Sequence, residues 1–260
     1  MKSRLTVVLL FAIMLMALPL HAAQSPANQN ACVSAYDATV DYFPDKVTVE
    51  AAAGFTVEYF NHYKRVTVTL PWQGAEAPLE YLLIQCGTPA PDDAGKAAII
   101  EVPVQTVVSM STSFLPHLTA QGVLDRVVAV DTALYSSNEA LIERVAAGEV
   151  AEVGGGGGGT EVNIETLIDL QPGLILTQRF DDSDTSYPAI QQAGLPVAIA
   201  ADFLDTSPLG LAEWGKFISL FFNTEASAEA SYDEVQANYE SLATLAKSAA
   251  DAPTVFAGTP

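Results

Sequence analysis

Apolar and polar residues alternate with a period of two in an early part of the chain. The alternation covers three runs, Phe55–Tyr59, Val66–Leu70 and Tyr81–Gln85. Side chains of a half-buried strand point to alternating faces, so the pattern predicts a small antiparallel β meander within residues 42–95. The segment Thr88–Gly95 is rich in Pro and Asp and is predicted to be a linker.

From Val104 the pattern changes to short apolar runs that alternate with segments of helical spacing. The predicted strands are 104–110, 126–130, 174–177 and 196–200, and the predicted helices are 114–121, 138–147, 164–170 and 187–193. Glycines at 122 and 194 are expected to end two of these helices. Repeated strand–helix–strand units predict an α/β lobe at 104–206, with a parallel sheet and flanking helices.

A long helical region is predicted after Ser207 and Pro208. Proline suits the first helical position, because the N–H that it lacks would have no partner there. Apolar residues continue at helical spacing far beyond this point, and Asn223 marks a place where the helix could kink or be interrupted. We therefore expect a long connecting helix at 207–250. Residues 251–260 would begin a second lobe that is largely missing from the sequence.

The most informative stretch is Val162–Thr177. Asn163 is a candidate N-cap, the residues after it have helical spacing, and Pro172 with Gly173 is expected to stop the helix. A short apolar run, Leu174–Thr177, then predicts a buried parallel strand. This order of elements resembles the class III periplasmic binding proteins, which carry ferric siderophores, haem or cobalamin to ABC importers. The resemblance covers more than half of the chain, and Gly173 stands where the family usually has Asp.

The first residues have the pattern of a secretory signal. Lys2 and Arg4 precede an apolar run, Leu5–Leu18, that is followed by small residues. This pattern predicts a cleaved signal peptide at 1–23 and a periplasmic or otherwise extracytoplasmic location. The polar residues that follow predict a flexible segment at 24–41.

Two cysteines, Cys32 and Cys86, remain after export. In an oxidising compartment a pair of this kind is expected to form a disulfide bridge, and the alternative is two buried thiols. Lipid attachment at Cys32 is disfavoured, because the residues before it are not the small-residue triplet of a lipoprotein signal.

The chain is strongly acidic, with a formal net charge of −20 at pH 7. This charge argues against nucleic acid and anionic membrane surfaces as partners. No metal site is predicted, because His62 and His117 have no ligand spacing. The acidic run that begins at Asp181 lacks the Gly and the distal Glu of a calcium loop and is expected to be a solvated loop.

Patterns of catalysis are weak. The run Gly154–Gly159 formally matches a dinucleotide-binding motif, but it follows a helix and lacks the Lys of a phosphate-binding loop. It is expected to be a surface loop. Ser109, Ser111 and Ser113 follow the first strand of the lobe without the glycines of a nucleophile elbow. The chain is therefore not predicted to be an enzyme.

Open α/β sheets bind ligands at the carboxyl ends of their strands, and the loops there carry the candidate ligand-binding residues. These residues are Thr112, Ser113, Phe114, Tyr135, Arg179, Phe180 and Phe203. Aromatic rings suit a large flat chelate, and an arginine can pair with carboxylate or phenolate oxygens. The alternative is that each is an ordinary loop residue.

Glu165 starts the helix in the most informative stretch. The resemblance implies that this glutamate pairs with an arginine of the importer's membrane subunit. The alternative is simple electrostatics at a helix start, where a carboxylate is favoured by the helix dipole. Because the helix precedes the strand 174–177, we expect Glu165 at the amino-terminal side of that strand, away from the ligand loops.

Taken with the resemblance, these features predict the solute-binding component of an ABC importer. It would need no cofactor, would bind an iron chelate or a related metallo-tetrapyrrole, and would deliver it to a permease. Two alternatives remain open: an enzyme on a similar lobe, and an extracytoplasmic sensory or adhesion module that uses the meander as its interaction surface.

Overall fold

The computed structural model describes residues 28–92, 94–155, 161–249 and 254. The predicted signal peptide lies outside the described residues, as do positions 156–159 of the glycine run and all but one of residues 251–260. Over the part of the chain that is described, no helix has both the length and the apolar character needed to cross a membrane.

The first sheet has four strands: β1 (Phe55–Tyr59), β2 (Tyr63–Val68), β3 (Leu79–Gln85) and β4 (Ala98–Val102). The predicted meander is confirmed for β1 to β3, which pair antiparallel in sequence order. Strand β4 was not predicted, and it pairs parallel with β3. The expected linker Thr88–Gly95 therefore leads back into the same sheet.

The second sheet is the predicted parallel sheet. Its strands are β5 (Val107–Ser109), β6 (Val127–Val130), β7 (Ala151–Glu152), β8 (Leu174–Thr177) and β9 (Val197–Ile199). They lie in the order β7-β6-β5-β8-β9 and all neighbouring pairs are parallel. Strand β7 was not predicted, because two residues at a sheet edge have no detectable period.

Helices connect and flank these strands as the alternation predicts. They are α1 (Leu115–Ala120), α2 (Glu139–Ala146), α3 (Ile164–Leu170), α4 (Ser186–Gln192), α5 (Pro208–Ser219) and α6 (Glu225–Lys247). The N-cap of α3 is Asn163, as predicted, and its side chain accepts the N–H of Thr166. The N-cap of α2 is Asn138, whose side chain accepts the N–H of Leu141 at 3.0 Å.

The end of α3 differs from the prediction in one backbone detail. Gln171 takes the left-handed conformation, with φ of 46°, and Gly173 does not. The N–H of Gly173 instead donates to the hydroxyl of Thr106 at 2.9 Å. Gly122 and Gly194, at φ of 70° and 72°, take the predicted positions after α1 and α4.

The predicted connecting helix at 207–250 is two helices. Asn223 lies between α5 and α6 with φ of 57°, a conformation that cannot continue a helix. Its amide donates to the carbonyl of Gln29 at 2.7 Å and to the side chain of Gln85 at 2.9 Å. These contacts hold the interruption against the first sheet.

Helix α5 and the residues that directly follow it pack against the first sheet. The ring of Phe55 in β1 is 5.0 Å from Trp214 and 5.5 Å from Phe217, and Tyr81 in β3 is 6.4 Å from Phe221. Buried residues of both sheets and of α5 form one connected cluster. The first sheet is therefore part of the same folded unit as the parallel sheet.

The segment expected to be flexible makes defined contacts from residue 28 onward. The amide of Asn28 donates to the carboxylate of Glu225 at 2.7 Å. Cys32 and Cys86 form the predicted disulfide, with Cα atoms 4.6 Å apart. These contacts fasten the start of the described chain to the first sheet and to α6.

Two lysines are fully buried and paired. Lys64 of β2 contacts the carboxylate of Glu225 at 2.7 Å and donates to the carbonyl of Leu220 at 2.5 Å. Lys216 of α5 contacts Glu213 at 3.1 Å and Glu229 at 2.9 Å. Burial lowers the pKa of Lys64, and the contact with Glu225 opposes this shift.

The carboxylate of Glu213 holds the chain that leads into β1. It accepts the backbone N–H groups of Glu50, Ala51 and Ala52 at 2.6 to 3.1 Å. Burial would raise the pKa of Glu213, but these N–H groups together with Lys216 leave it below its ordinary value. The carboxylate therefore stays charged inside the core.

Candidate functional site

Loops from three strands meet at the carboxyl edge of the parallel sheet. Gln178, directly after β8, donates to the carboxylate of Asp202 at 2.6 Å and to the hydroxyl of Ser113 at 3.4 Å. Asp202 follows β9 and Ser113 follows β5. Ser111 is 2.9 Å from Ser113 through the two hydroxyls. The predicted ligand loops are thus joined by hydrogen bonds through one amide.

Large apolar side chains are exposed at this edge. Phe180 is 55% exposed, and its ring centre lies 4.8 Å from that of Phe203, so the loops after β8 and β9 present a pair of rings. On the loop after β6, Leu134 is 77% exposed and Tyr135 is 63% exposed. Exposed apolar groups that gather at one edge are a common feature of binding surfaces.

An open cleft of about 510 Å³ lies between α1 and the loop that joins β6 to α2. It is lined by Thr112, Leu115, Pro116, Thr119, Ala120 and residues 135–138. Two candidate residues, Thr112 and Tyr135, lie on its wall. The lining combines apolar surface with hydroxyl and amide groups, as small-molecule sites commonly do.

The loop that carries Tyr135 is anchored from the edge strand. The carboxylate of Glu152 in β7 accepts the N–H of Ala133 at 2.7 Å and the hydroxyl of Thr132 at 3.0 Å. Asp131 is 7% exposed at the start of this loop, and burial raises the pKa of its carboxyl group. These contacts fix the base of the loop and leave its tip in solvent.

Phe114, a predicted ligand-binding residue, is buried. Its side chain is 1% exposed and belongs to the connected core. Phe114 ends a short 3₁₀ turn, Thr112–Phe114, that leads into α1, and this helical segment buries its apolar face in the core. Phe114 therefore supports the loop after β5 from below and does not face an external ligand.

Arg179 is also placed differently from the expectation. It is 9% exposed, and its guanidinium carbon lies 4.1 Å from the ring centre of Trp72, a residue of the loop between β2 and β3. It donates to the carbonyl of Asp181 at 3.1 Å and to the carboxylate of Asp182 at 3.2 Å. The guanidinium is therefore used within the protein.

The carboxylates of Asp181 and Asp182, in the acidic loop after β8, accept hydrogen bonds from within the protein. Asp181 accepts the hydroxyl and the N–H of Ser183 at 2.6 and 2.8 Å, and these two bonds lower the pKa of its carboxyl group. Asp182 accepts the indole N–H of Trp72 at 2.9 Å. Among the described residues, no three His, Cys, Asp or Glu side chains are grouped so that they could hold a metal ion.

His117 and His62, the two histidines weighed as metal ligands, lie apart on different elements. His117 lies in α1, and burial lowers the pKa of its imidazole while Asp202 opposes the shift. It lines a second cavity of about 210 Å³ between α1, α5 and α6. His62 lies beside Tyr36 on the first sheet, with 3.3 Å between the imidazole and the hydroxyl.

Glu165 is exposed in the first turn of α3. The prediction that it lies at the amino-terminal side of the sheet was wrong. The N–H of Asn163, the N-cap of α3, donates at 2.7 Å to the carbonyl of Val153, which directly follows β7. The start of α3 therefore lies beside the carboxyl end of an edge strand. A helix that returns antiparallel to the strands begins where the preceding strand ends, so Glu165 is on the same side as the ligand loops.

Three residues that shape the site are not among the candidate ligand-binding residues predicted from the sequence. Gln178 and Asp202 join two of the loops by a hydrogen bond. Trp72, in the loop between β2 and β3 of the first sheet, stacks on Arg179. Gln178 and Asp202 follow two predicted strand ends, so the sequence places both of them in the candidate ligand loops. Trp72 has no comparable signal, because its contact joins residues more than one hundred positions apart.

Comparison with known proteins gives distant matches. No protein-family model matches the chain. An uncharacterized lipoprotein of Methanocaldococcus jannaschii is 23% identical over 146 residues, which are 54% of this chain and 34% of that protein. The chain therefore spans about a third of the length of this curated relative.

Solved structures that resemble the chain are periplasmic binding proteins. A vitamin B12-binding protein of Vibrio cholerae has a TM-score of 0.42 and 18% identity, over 56% of this chain and 52% of its own. A siderophore-binding protein solved with acinetobactin and ferric iron has a TM-score of 0.49 and 14% identity, over 72% and 55%. Periplasmic binding proteins are also the class that the helix–turn–strand pattern of Val162–Thr177 resembles.

Proposed function

We propose that this chain is the solute-binding component of an ABC importer and that it binds an iron chelate or a related metallo-tetrapyrrole. The observation that carries the proposal is the carboxyl edge of the parallel sheet. There the exposed ring of Phe180 and the half-buried ring of Phe203 lie beside the hydrogen-bonded group of Ser113, Gln178 and Asp202. Open α/β sheets bind ligands at this edge.

The chemistry of the edge suits a large ligand with flat apolar faces. The rings of Phe180, Phe203 and Tyr135 can pack against a porphyrin or against the aromatic arms of a chelate. Hydroxyls of Thr112 and Ser113 can donate to its oxygen atoms. Because Arg179 is paired within the protein, recognition would depend on neutral donors and apolar contact. The iron belongs to the cargo, and binding leaves the ligand chemically unchanged.

Titration of the purified chain with two probes, haemin and ferrioxamine B, tests the proposal. We expect saturable binding of at least one probe, with the probe recovered intact. Phe180→Ala should weaken this binding about tenfold, because the side chain loses most of its apolar contact area. Phe60→Ala removes another exposed ring, on the first sheet, and should leave the affinity unchanged.

Binding of neither probe, or an equal loss in both variants, would contradict the proposal. Release of a modified probe would instead support the enzyme alternative. These outcomes separate a ligand site at the carboxyl edge from a general effect of removing an aromatic side chain.

Delivery to a permease is the second part of the proposal. Glu165 is an exposed carboxylate at a helix start on the ligand side of the sheet, so it can pair with an arginine of a membrane subunit. In cells with the cognate importer, Glu165→Ala should lower uptake and leave the affinity for the chelate nearly unchanged. Asp169→Ala, an exposed carboxylate later in α3, is the matched control. A loss of chelate affinity in Glu165→Ala would assign this residue to the ligand instead.

A further inference from the structure

The loop between β2 and β3 reaches from the first sheet to the carboxyl edge of the second. The indole N–H of Trp72 donates to the carboxylate of Asp182 at 2.9 Å. The backbone N–H of the next residue, Gln73, donates to the carbonyl of Phe180 at 3.2 Å. One loop of the first sheet therefore holds the segment that follows β8 by a side-chain and a backbone hydrogen bond.

Arg179 completes this contact. Its guanidinium carbon is 4.1 Å from the ring centre of Trp72 and 5.9 Å from that of Tyr187, and it also donates to Asp182 at 3.2 Å. A cation over an aromatic ring is attracted more strongly when water is excluded, and Arg179 is 9% exposed. The side chain of Asp182 is 72% exposed, so the stacking on Trp72 is the better shielded of the two contacts. We call Trp72, Arg179 and Asp182 the clamp.

Two clamp residues, Arg179 and Asp182, lie on either side of Phe180 in sequence. Phe180 has the most exposed ring among the phenylalanines of the site. Phe180 follows Arg179 directly, and more than half of its surface is open to solvent. A ring with so little packing of its own takes its position mainly from its backbone. That backbone is fixed by Gln73 at its carbonyl and by the clamp on both sides in sequence.

We propose that Trp72 is a positioning residue for ligand binding: it holds the segment after β8 so that the ring of Phe180 is presented beside Phe203. The inference rests on the proposed function of the carboxyl edge. It adds that the first sheet, which supplies none of the candidate ligand-binding residues, sets the affinity of that edge through a single side chain. Trp72 acts through Phe180.

Hydrogen–deuterium exchange of the peptide that covers residues 178–184 tests the positioning directly. Trp72→Ala should accelerate exchange there about tenfold, because it removes both the stacking and the hydrogen bond. Trp72→Phe keeps a ring for Arg179 but cannot donate to Asp182, so it should restore part of the protection. Phe60→Ala, an aromatic truncation at the opposite end of the same sheet, should leave this peptide unchanged.

The exchange of the strand Leu174–Thr177 serves as an internal reference. A general loss of stability would accelerate exchange in the strand and in the loop alike, whereas loss of positioning accelerates the loop alone. The affinities for haemin and ferrioxamine B are then measured for the same variants. We expect about tenfold weaker binding for Trp72→Ala, with partial rescue by Trp72→Phe.

Unchanged loop exchange in Trp72→Ala would overturn the proposal, and so would faster loop exchange with unchanged affinity. If the wild-type chain binds neither probe, the proposed function fails and the role of Trp72 in ligand binding fails with it. The exchange data still decide in that case whether Trp72 fixes the loop, so the two failures are distinguishable.

Discussion

Helices α5 and α6 follow one another along the chain but differ in how much of their surface is buried. Eight of the twelve residues of α5 are buried, among them the charged pair Glu213 and Lys216. Helix α6 has twenty-three residues, of which Glu225, Ala228 and Tyr232 are buried, all within its first eight positions. Two helices that were predicted as one therefore have opposite environments.

Apolar residues alone do not explain this difference. Beyond Tyr232, α6 carries an apolar stripe at helical spacing, formed by Val235, Tyr239, Leu242 and Leu245, and each of these side chains is between 43% and 67% exposed. Helix α5 buries even its charges, because α1, α6 and the segment that leads into β1 cover it. The comparison shows that the elements around a helix decide its burial, and a periodic pattern shows only which face could be buried.

The largest expected effect contrasts one apolar side chain from each helix. Phe217→Ala in α5 should lower the free energy of unfolding by about 3–5 kcal/mol, because it leaves a cavity in a closed core. Leu242→Ala in α6 should change it by less than about 0.5 kcal/mol, since the side chain is 65% exposed. Guanidinium unfolding of both variants measures the difference. Similar losses would mean that the exposed stripe of α6 is covered in solution.

The charged residues give the next largest contrast. Glu213→Gln should lower the free energy of unfolding by about 3 kcal/mol, because it leaves Lys216 short of a buried counter-charge. Glu229→Gln removes the other carboxylate on the same lysine, but the Glu229 side chain is 34% exposed, so about 1 kcal/mol or less is expected. Equal effects in urea unfolding would show that burial of the partner does not matter here.

Two substitutions separate the backbone contribution of Asn223 to stability from the contribution of its side chain. Asn223→Ala and Asn223→Gly both remove the contacts to Lys64, Gln29 and Gln85. Alanine is also strained at φ of 57°, so the glycine variant should be more stable by about 1 kcal/mol. Thermal unfolding of the pair measures this difference. A more stable alanine variant would indicate that α5 and α6 had become continuous.

The smallest expected effect is a pH dependence. The pKa of Glu213 is lowered from 4.5 in the folded chain, so its contribution to stability is present above pH 4.5 and is lost as the pH falls through the lowered value. The stability difference between the wild-type chain and Glu213→Gln should therefore shrink as the pH is lowered below 4.5. Urea unfolding at several pH values from 6 downward checks this, and a difference that grows on acidification would contradict it.

The parallel sheet could be predicted from the sequence because its signals are local. Leu174–Thr177 has the predicted bounds, and Asn163, Gly122 and Gly194 mark helix ends through the hydrogen-bonding and backbone properties of single residues. Strand β4 was missed, because its residues Ala98–Val102 do not alternate between apolar and polar. Its pairing with β3 is tertiary, and it follows a segment whose composition is typical of a linker.

The sequence predicts where the candidate site lies, but it predicts only some of the residues that form it. The carboxyl-edge loops were identified because the topology of a parallel sheet fixes where they meet. Phe114 and Arg179 were assigned by residue type, and neither is free to meet a ligand in the structure. The stacking of Arg179 on Trp72 depends on how two sheets pack, which no local pattern contains. The same is true of the buried charges at Lys64 and Glu213.

The disulfide has a consequence for the unfolded chain. Cys32 and Cys86 are 54 positions apart, and β1, β2, β3 and the loop that carries Trp72 all lie between them. In the chain-entropy model, closing a loop of this length removes about 4 kcal/mol of conformational freedom from the denatured ensemble. While the disulfide is intact, the part of the chain that carries Trp72 is therefore a closed ring even when unfolded, and fewer alternative arrangements are open to it.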